Sequence, residues 1–309
     1  MKHLALIGNG QRGKQYIRSI ESRKDCQLLY IASPRITSDT DISERYIKVV
    51  DYRKLLSNKE IDGVIIATPS KTHFTLASDF IKNGHNVLIE KPMTTSYRDA
   101  IKLKKLADTR KSVLMVGHLY NYNPAFQALL GLRNKIGTLR FIQTAAGKSE
   151  CFSVRSSALW EWGPHDIAMC LEVLGMTPTA VSTQGVYMRK RIDYQVFLTL
   201  FFQKDVKAFL HLGWCFPQKK RMFTLTGSEG QLVFNDLEKK IVCTDHKGNT
   251  TTTIHHNTQP LQEELDEFIR SIKSKKMPQT GIEEGLDVVK ILHFAEKSMM
   301  NKGKITRIL

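Results

Sequence analysis

Apolar positions in the first third of the chain come in short, nearly unbroken runs. Leu4–Ile7, Gln27–Ala32, Ile61–Ala67, Asn86–Glu90 and Val113–Val116 are long enough for buried strands and too short for helices. Segments with helix signals separate them. One follows the first run, from about Gln11 to Ser22; one opens at His73 and stops at Asn83-Gly84; one is capped by Ser96 and reaches about Asp108. Tyr46–Val50 and Asp51–Leu56 lead into the third run. Apolar strands alternating with helices predict an α/β protein with a parallel sheet covered on both faces. Further along, Tyr194–Leu200, Val206–Leu212, Arg221–Thr226, Gln231–Phe234 and Lys240–Thr244 are β-rich runs between turn signals.

The first run passes into Gly8-Asn9-Gly10-Gln11-Arg12-Gly13, a G-x-G-x-x-G between a strand and a helix. In a dinucleotide site Gly8 permits the sharp turn, Gly10 lets a pyrophosphate approach the backbone, and Gly13 lets the helix pack on the strand. The N–H groups and dipole at the helix start then hold the phosphates. An ordinary tight turn between strand and helix is the other reading. Such sites often carry Asp or Glu at the end of the second strand, for the ribose hydroxyl. Here Ser33 stands there with Arg35 two residues on, a pair that suits a 2′-phosphate and favours NADP over NAD. Ligands of open parallel sheets lie beyond the carboxyl ends of the strands, which places Thr68-Pro69, Glu90-Lys91 and Gly117-His118 in the same cleft.

Composition changes this picture little. The 309 residues are 41% hydrophobic and 25% charged, as in ordinary globular proteins with room for two domains. No apolar run approaches the ~20 residues of a membrane helix, and the opening lacks the form of a signal peptide. The five cysteines have no C-x-x-C pattern, so reduced thiols in a cytoplasmic protein and no metal site are expected. The net charge of +16 is dispersed, without a basic tail or an aromatic-studded basic stripe. That argues for solvated surface or an anionic ligand, and against nucleic acid.

Glu90-Lys91-Pro92 turns these separate signals into a resemblance. The glycine pattern, Ala67-Thr68-Pro69 with His73, Glu90-Lys91-Pro92, and Val116-Gly117-His118 with Asn123-Pro124 together resemble the glucose–fructose oxidoreductase/inositol dehydrogenase/MocA family. Gly163-Pro164-His165, Thr226–Gly230 and two closing helices, about Pro260–Ser274 and Gly281–Met300, extend the resemblance to the end of the chain. It implies a Rossmann domain over residues 1–120 and an α/β domain over 121–309, built on a large, open, mostly antiparallel sheet. The helix at about 281–301 would pack back on the first domain. A homodimer or homotetramer through that sheet is also implied, as is a cofactor site drawing on Gly8 to Gly13, Ser33, Arg35, Thr68, Pro69, His73, Glu90, Lys91 and His118.

Lys91 is the first catalytic candidate. Its ammonium, at a strand's carboxyl end, can donate to a substrate oxygen, with Glu90 supporting the charge. His165 is the second. Pro164 suits a first helical position, which would put His165 in a first turn where the dipole disfavours imidazolium. Glu161 stands where relatives often have Asp four residues before this histidine, and would orient the substrate or the histidine. Asp166 reads as an ordinary first-turn acid. Tyr120 suits stacking on a sugar ring or core packing, and Asn121 stands where sugar-handling relatives often have Arg. Arg155 suits an anionic group or a solvated loop, and Trp162 the core or a cleft wall. The expected function is NAD(P)-dependent interconversion of a secondary alcohol and a ketone on a sugar-like ring, and a nucleotide-linked sugar would fit the positive charge. The rival is a non-catalytic, cofactor-binding sensor of the same fold; the Lys91 and His165 pair argues for the enzyme.

Overall fold

The computed structural model describes the chain apart from residues 40, 151–155, 188–191 and 256–258. Two units emerge, Met1–His118 with Leu261–Val289, and Leu119–Pro260 with Lys290–Leu309.

The first unit is built on β1 (Lys2–Ile7), α1 (Gln11–Glu21), β2 (Cys26–Ala32), β3 (Ile47–Val49), β4 (Gly63–Ile66), α2 (His73–Lys82), β5 (Asn86–Glu90), α3 (Tyr97–Arg110) and β6 (Leu114–Gly117). Its six strands run in the order β3-β2-β1-β4-β5-β6, with every pair parallel. All residues of β4 and β6 are buried, as expected for strands covered on both faces. The reversal of order at β1 opens a crevice at the carboxyl ends of β1 and β4, the switch point where such sheets bind ligands.

The second unit contains α4 (Pro124–Gly131), β7 (Leu139–Ser149), α5 (Ala158–Leu174), β8 (Ala180–Tyr187), β9 (Asp193–Phe201), β10 (Lys207–Gly213), β11 (Cys215–Gly227), β12 (Gly230–Asn235), β13 (Lys240–Asp245) and β14 (Thr250–Ile254). After them the chain forms α6 (Pro260–Ser274), α7 (Ile282–Met300) and β15 (Thr306–Arg307). The nine-stranded sheet has the order β14-β13-β12-β11-β7-β10-β9-β8-β15. Only β7 and β10 pair in parallel; all other neighbours are antiparallel. One face buries Ile142, Val196, Leu198, Leu200 and Leu210 beneath α5, while Phe197 and Phe209 stand on the other, 49% and 41% exposed.

Although α6 follows β14 of the second sheet in sequence, it belongs to the first unit, where it buries Leu265, Phe268, Ile269 and Ile272. Ahead of α7, Thr280 accepts the Val116 N–H at its carbonyl and donates its hydroxyl to the Val116 carbonyl, 2.8 and 2.7 Å. Among the described residues no helix is long and apolar enough to cross a membrane. Cys26, Cys170 and Cys243 are free thiols, but Cys215 is disulfide-bonded. The expectation of five reduced cysteines therefore fails at Cys215, because spacing along the chain does not reveal which cysteines folding brings together.

Candidate functional site

Beyond the carboxyl ends of β1, β2 and β4 the first unit encloses a cavity of about 840 Å³. Residues Gly8 to Arg12 form one wall, Ser33 and Pro34 come from the end of β2, and Thr68 and Pro69 from the end of β4. Each glycine of the turn has a distinct geometric reason. Gly8 has φ +103°, and a Cβ there would lie 2.5 Å from the Ala67 carbonyl oxygen. At Gly13 a Cβ would lie 2.1 Å from the Gly8 carbonyl oxygen. Gly10, which caps α1, differs, since an added Cβ would meet nothing within 4 Å. The turn is thus closed against its own sheet and open at Gly10. The first turn of α1 carries no acidic residue. The N–H groups that a helix start leaves without intrahelical partners, its positive dipole end and a bare backbone at Gly10 fit the pyrophosphate of a dinucleotide.

At the opposite wall Ser33 is 9% exposed and donates its N–H to the Val49 carbonyl at 3.0 Å. Arg35 is exposed and lies outside the lining; the cations that line the cavity are Arg12, Arg53 and Lys71. Arg53 lies over the Tyr52 ring, 5.3 Å from its centroid, and 3.3 Å from the Asp51 carboxylate. Sequence reasoning missed residues 51–53. Their signal is topological: β3 pairs with β2, so the segment after β3 arrives beside Ser33. Asn9 lines the cavity and donates to Asp39 at 2.7 Å. Gln11 lines it and is exposed.

Lys91 stands half-buried at the carboxyl end of β5, before a cis bond to Pro92. The Glu90 carboxylate turns back into the unit and meets Arg12 Nε at 2.9 Å and Tyr16 Oη at 3.1 Å. Tyr16 Oη also lies 2.7 Å from Glu264 Oε1 of α6. Glu264 is fully buried, and burial, then the charge of Glu90, pushes its carboxyl up to about 8. His73 is 1% exposed and stands outside the cavity lining. Its Nδ1 faces the Pro92 carbonyl at 2.8 Å and its Nε2 the Thr68 carbonyl at 2.9 Å. Burial lowers its pKa, and the two carbonyls oppose that shift. It ties the turn after β4 to the turn after β5. His118, 1% exposed, meets Glu284 Oε2 through Nδ1 at 2.6 Å.

In the second unit α5 starts at Ala158, with the Ser157 hydroxyl accepting the Trp160 N–H, and Pro164 lies inside the helix. His165 is therefore not in a first turn, and the dipole argument for its neutral ring fails. The start is fixed instead by Asp193 of β9, whose carboxylate accepts from Ser157 Oγ at 2.9 Å and from the Leu159 N–H at 3.0 Å. Glu161 occupies that first turn. Asp166 is not a solvated acid either. It is 2% exposed, pairs with Arg221 Nη1 at 2.8 Å and accepts from the Thr144 hydroxyl. Burial pushes its carboxyl above the usual range, Arg221 and Thr144 opposing.

The Arg221 guanidinium covers the Tyr120 ring at 3.7 Å, and that ring meets the His165 ring edge-on at 5.0 Å. Arg221, Tyr120 and His165 thus form one stack. Asn121 is 2% exposed, and its Oδ1 has no hydrogen-bond partner among the described residues. Trp162 packs edge-on against Trp214 at 5.2 Å. Arg155 lies outside the described residues. No group of three metal-binding side chains occurs among the described residues.

Comparisons with known proteins agree with this construction. Residues 2–118 match the model of an oxidoreductase family with an NAD-binding Rossmann fold, and residues 133–233 match the GFO/IDH/MocA C-terminal domain. The rhizopine catabolism protein MocA of Rhizobium meliloti is 28% identical over 41% of this chain and 40% of its own, so the match spans less than half of that relative. The NADP(+)-dependent scyllo-inositol 2-dehydrogenase IolW of Bacillus subtilis is 24% identical over 83% of this chain and 82% of its own. A crystal structure of a putative oxidoreductase from Magnetospirillum magnetotacticum superposes with a TM-score of 0.83 at 28% identity, covering 95% of this chain and 99% of that one. Matches to both halves of one family's architecture carry a single conclusion: the chain belongs to the Gfo/Idh/MocA family of NAD-binding oxidoreductases.

Proposed function

We propose that the protein interconverts a secondary alcohol and a ketone on a sugar-like ring, using NAD or NADP. The observation that carries this reading is a glycine-rich turn open only at Gly10, in the same parallel sheet that presents Lys91 at a strand's carboxyl end. The dinucleotide supplies or takes up the hydride. Gly8 to Gly13 hold its phosphates, and Ser33 with Arg53 or Arg35 receives the ribose end, for which NADP is the preferred form. Thr68 and Pro69 border it, and His73, Glu90 and His118 hold the surrounding turns. Lys91 gives or takes the proton of the substrate hydroxyl.

In this reading the first unit, Met1–His118 with Leu261–Val289, holds the cofactor, and the second, Leu119–Pro260 with Lys290–Leu309, holds the substrate. His165 is the second acid–base group, Glu161 orients substrate or histidine, and Tyr120, Asn121, Arg155 and Trp162 contact the substrate. The outward Phe197 and Phe209 of the large sheet suit a homodimer or homotetramer. A panel of polyols and keto-sugars, with cofactor reduction or oxidation followed optically, tests the activity. Binding of a cofactor without turnover on any member would favour the sensor.

A further inference from the structure

The contacts of Tyr16 fix a proton count. Its hydroxyl lies 2.7 Å from Glu264 Oε1 and 3.1 Å from Glu90 Oε1, but it owns one hydrogen. It can donate to one carboxyl only. Were both glutamates ionised, the other contact would set oxygen lone pairs against each other inside a buried cluster. One carboxyl must therefore hold a proton and donate it to Tyr16 Oη. Arg12 Nε, 2.9 Å from Glu90 Oε1, marks Glu90 as the anion. Glu264 is 0% exposed, and its Oε2 has no hydrogen-bond partner among the described residues.

We propose that Glu264 is a proton-bearing positioning residue: it donates to Tyr16, Tyr16 donates to Glu90, and Glu90 is thereby held as the carboxylate paired with Arg12, one residue before Lys91. This deepens, and rests on, the reading of Lys91 as the group that handles the substrate proton. Arg12 also lines the cofactor cavity, so the chain of contacts runs from the phosphate-binding turn to the end of β5. The charged groups acting on Glu264 are Glu90 of β5 and Arg12 of α1. On the neighbouring turn of α6 Asp266 pairs with Arg23, which also holds Asp25, and does not join the cluster.

Glu264→Gln keeps an N–H donor toward Tyr16 Oη and removes the ionisation. Folded Glu264, with its carboxyl at about 8, keeps a proton that an unfolded carboxyl near 4.5 has lost. Wild-type stability thus falls as pH rises through that interval and levels above it, and E264Q lacks this slope. The thermal midpoint of E264Q should gain on that of wild type by several degrees across the interval; a gap independent of pH overturns the proposal. Infrared spectra of wild type should show a protonated-carboxyl band at neutral pH that disappears on titration near 8. Absence of that band at neutral pH overturns the proposal even if E264Q fails to fold.

The pH profile of kcat/KM separates positioning from mere packing. It should bend near 8 in wild type, lose that bend in E264Q and shift in Tyr16→Phe; superimposable profiles overturn the positioning role. Should no sugar be turned over, the functional reading falls, while the infrared band and the stability gap still decide the protonation of Glu264.

Discussion

Arg221 of β11 places Nη1 2.8 Å from Oδ1 of Asp166 on α5, with both side chains shut away from water. The pair also supports the ring of Tyr120, and through it the edge of His165. Asp166→Ala would strand a buried guanidinium, and should lower unfolding stability by about 3–5 kcal/mol. Urea denaturation followed by tryptophan fluorescence measures this, since Trp160, Trp162 and Trp214 all lie in the second unit. Asp166→Ala combined with Arg221→Met should recover much of the loss.

Gly10 and Gly13 should respond differently to the same methyl group. Gly10→Ala adds its Cβ to open space, so the thermal midpoint should hold while dinucleotide affinity falls about ten-fold or more, roughly 1.4 kcal/mol. Gly13→Ala drives a Cβ into a backbone oxygen and should lower midpoint and affinity together. Calorimetric titration with each cofactor, beside a melting curve, distinguishes the two outcomes.

Lys91→Met should leave cofactor binding within a few-fold and reduce turnover by about 10²–10⁴, the range for loss of a general acid–base group. Steady-state kinetics and cofactor fluorescence titration on one preparation check this. Turnover retained at saturating substrate would remove Lys91 from the chemistry.

Arg53 lines the cavity and Arg35 does not, so their truncations rank the two as partners of a 2′-phosphate. Arg53→Ala should weaken NADP by about 10–100-fold, roughly 1.5–3 kcal/mol for a bond to a charged group, and NAD far less. Arg35→Ala should change the ratio of the two affinities less. Paired dissociation constants for both coenzymes give the answer directly.

The first sheet was legible because its signals are local. All of its strands but the short β3 are apolar whatever surrounds them, and the glycine turn comes directly after the first. The second sheet was legible only where strands are apolar. Sequence reasoning did not single out β14, whose Thr250–Ile254 is exposed throughout, nor β7 and β8, which mix buried and exposed residues. The start of α5 was misread because Pro164 has the form of a first helical residue, whereas Asp193, 34 positions from Leu159, sets the true start. Long-range pairs such as Asp166 with Arg221 and Tyr16 with Glu264 depend on which elements become neighbours, and residue types alone do not disclose that.

The placement of α6 bears on how the chain comes off the ribosome. Domains generally fold as units, the amino-terminal one first, while synthesis proceeds at about 5–20 residues per second. Here the opening sheet cannot complete its covering until Phe268, Ile272 and Thr280 have emerged, and Thr280 bonds to Val116 across 164 positions. The half synthesised first is therefore the half that must wait, its apolar flank bare for seconds while the other sheet is being made.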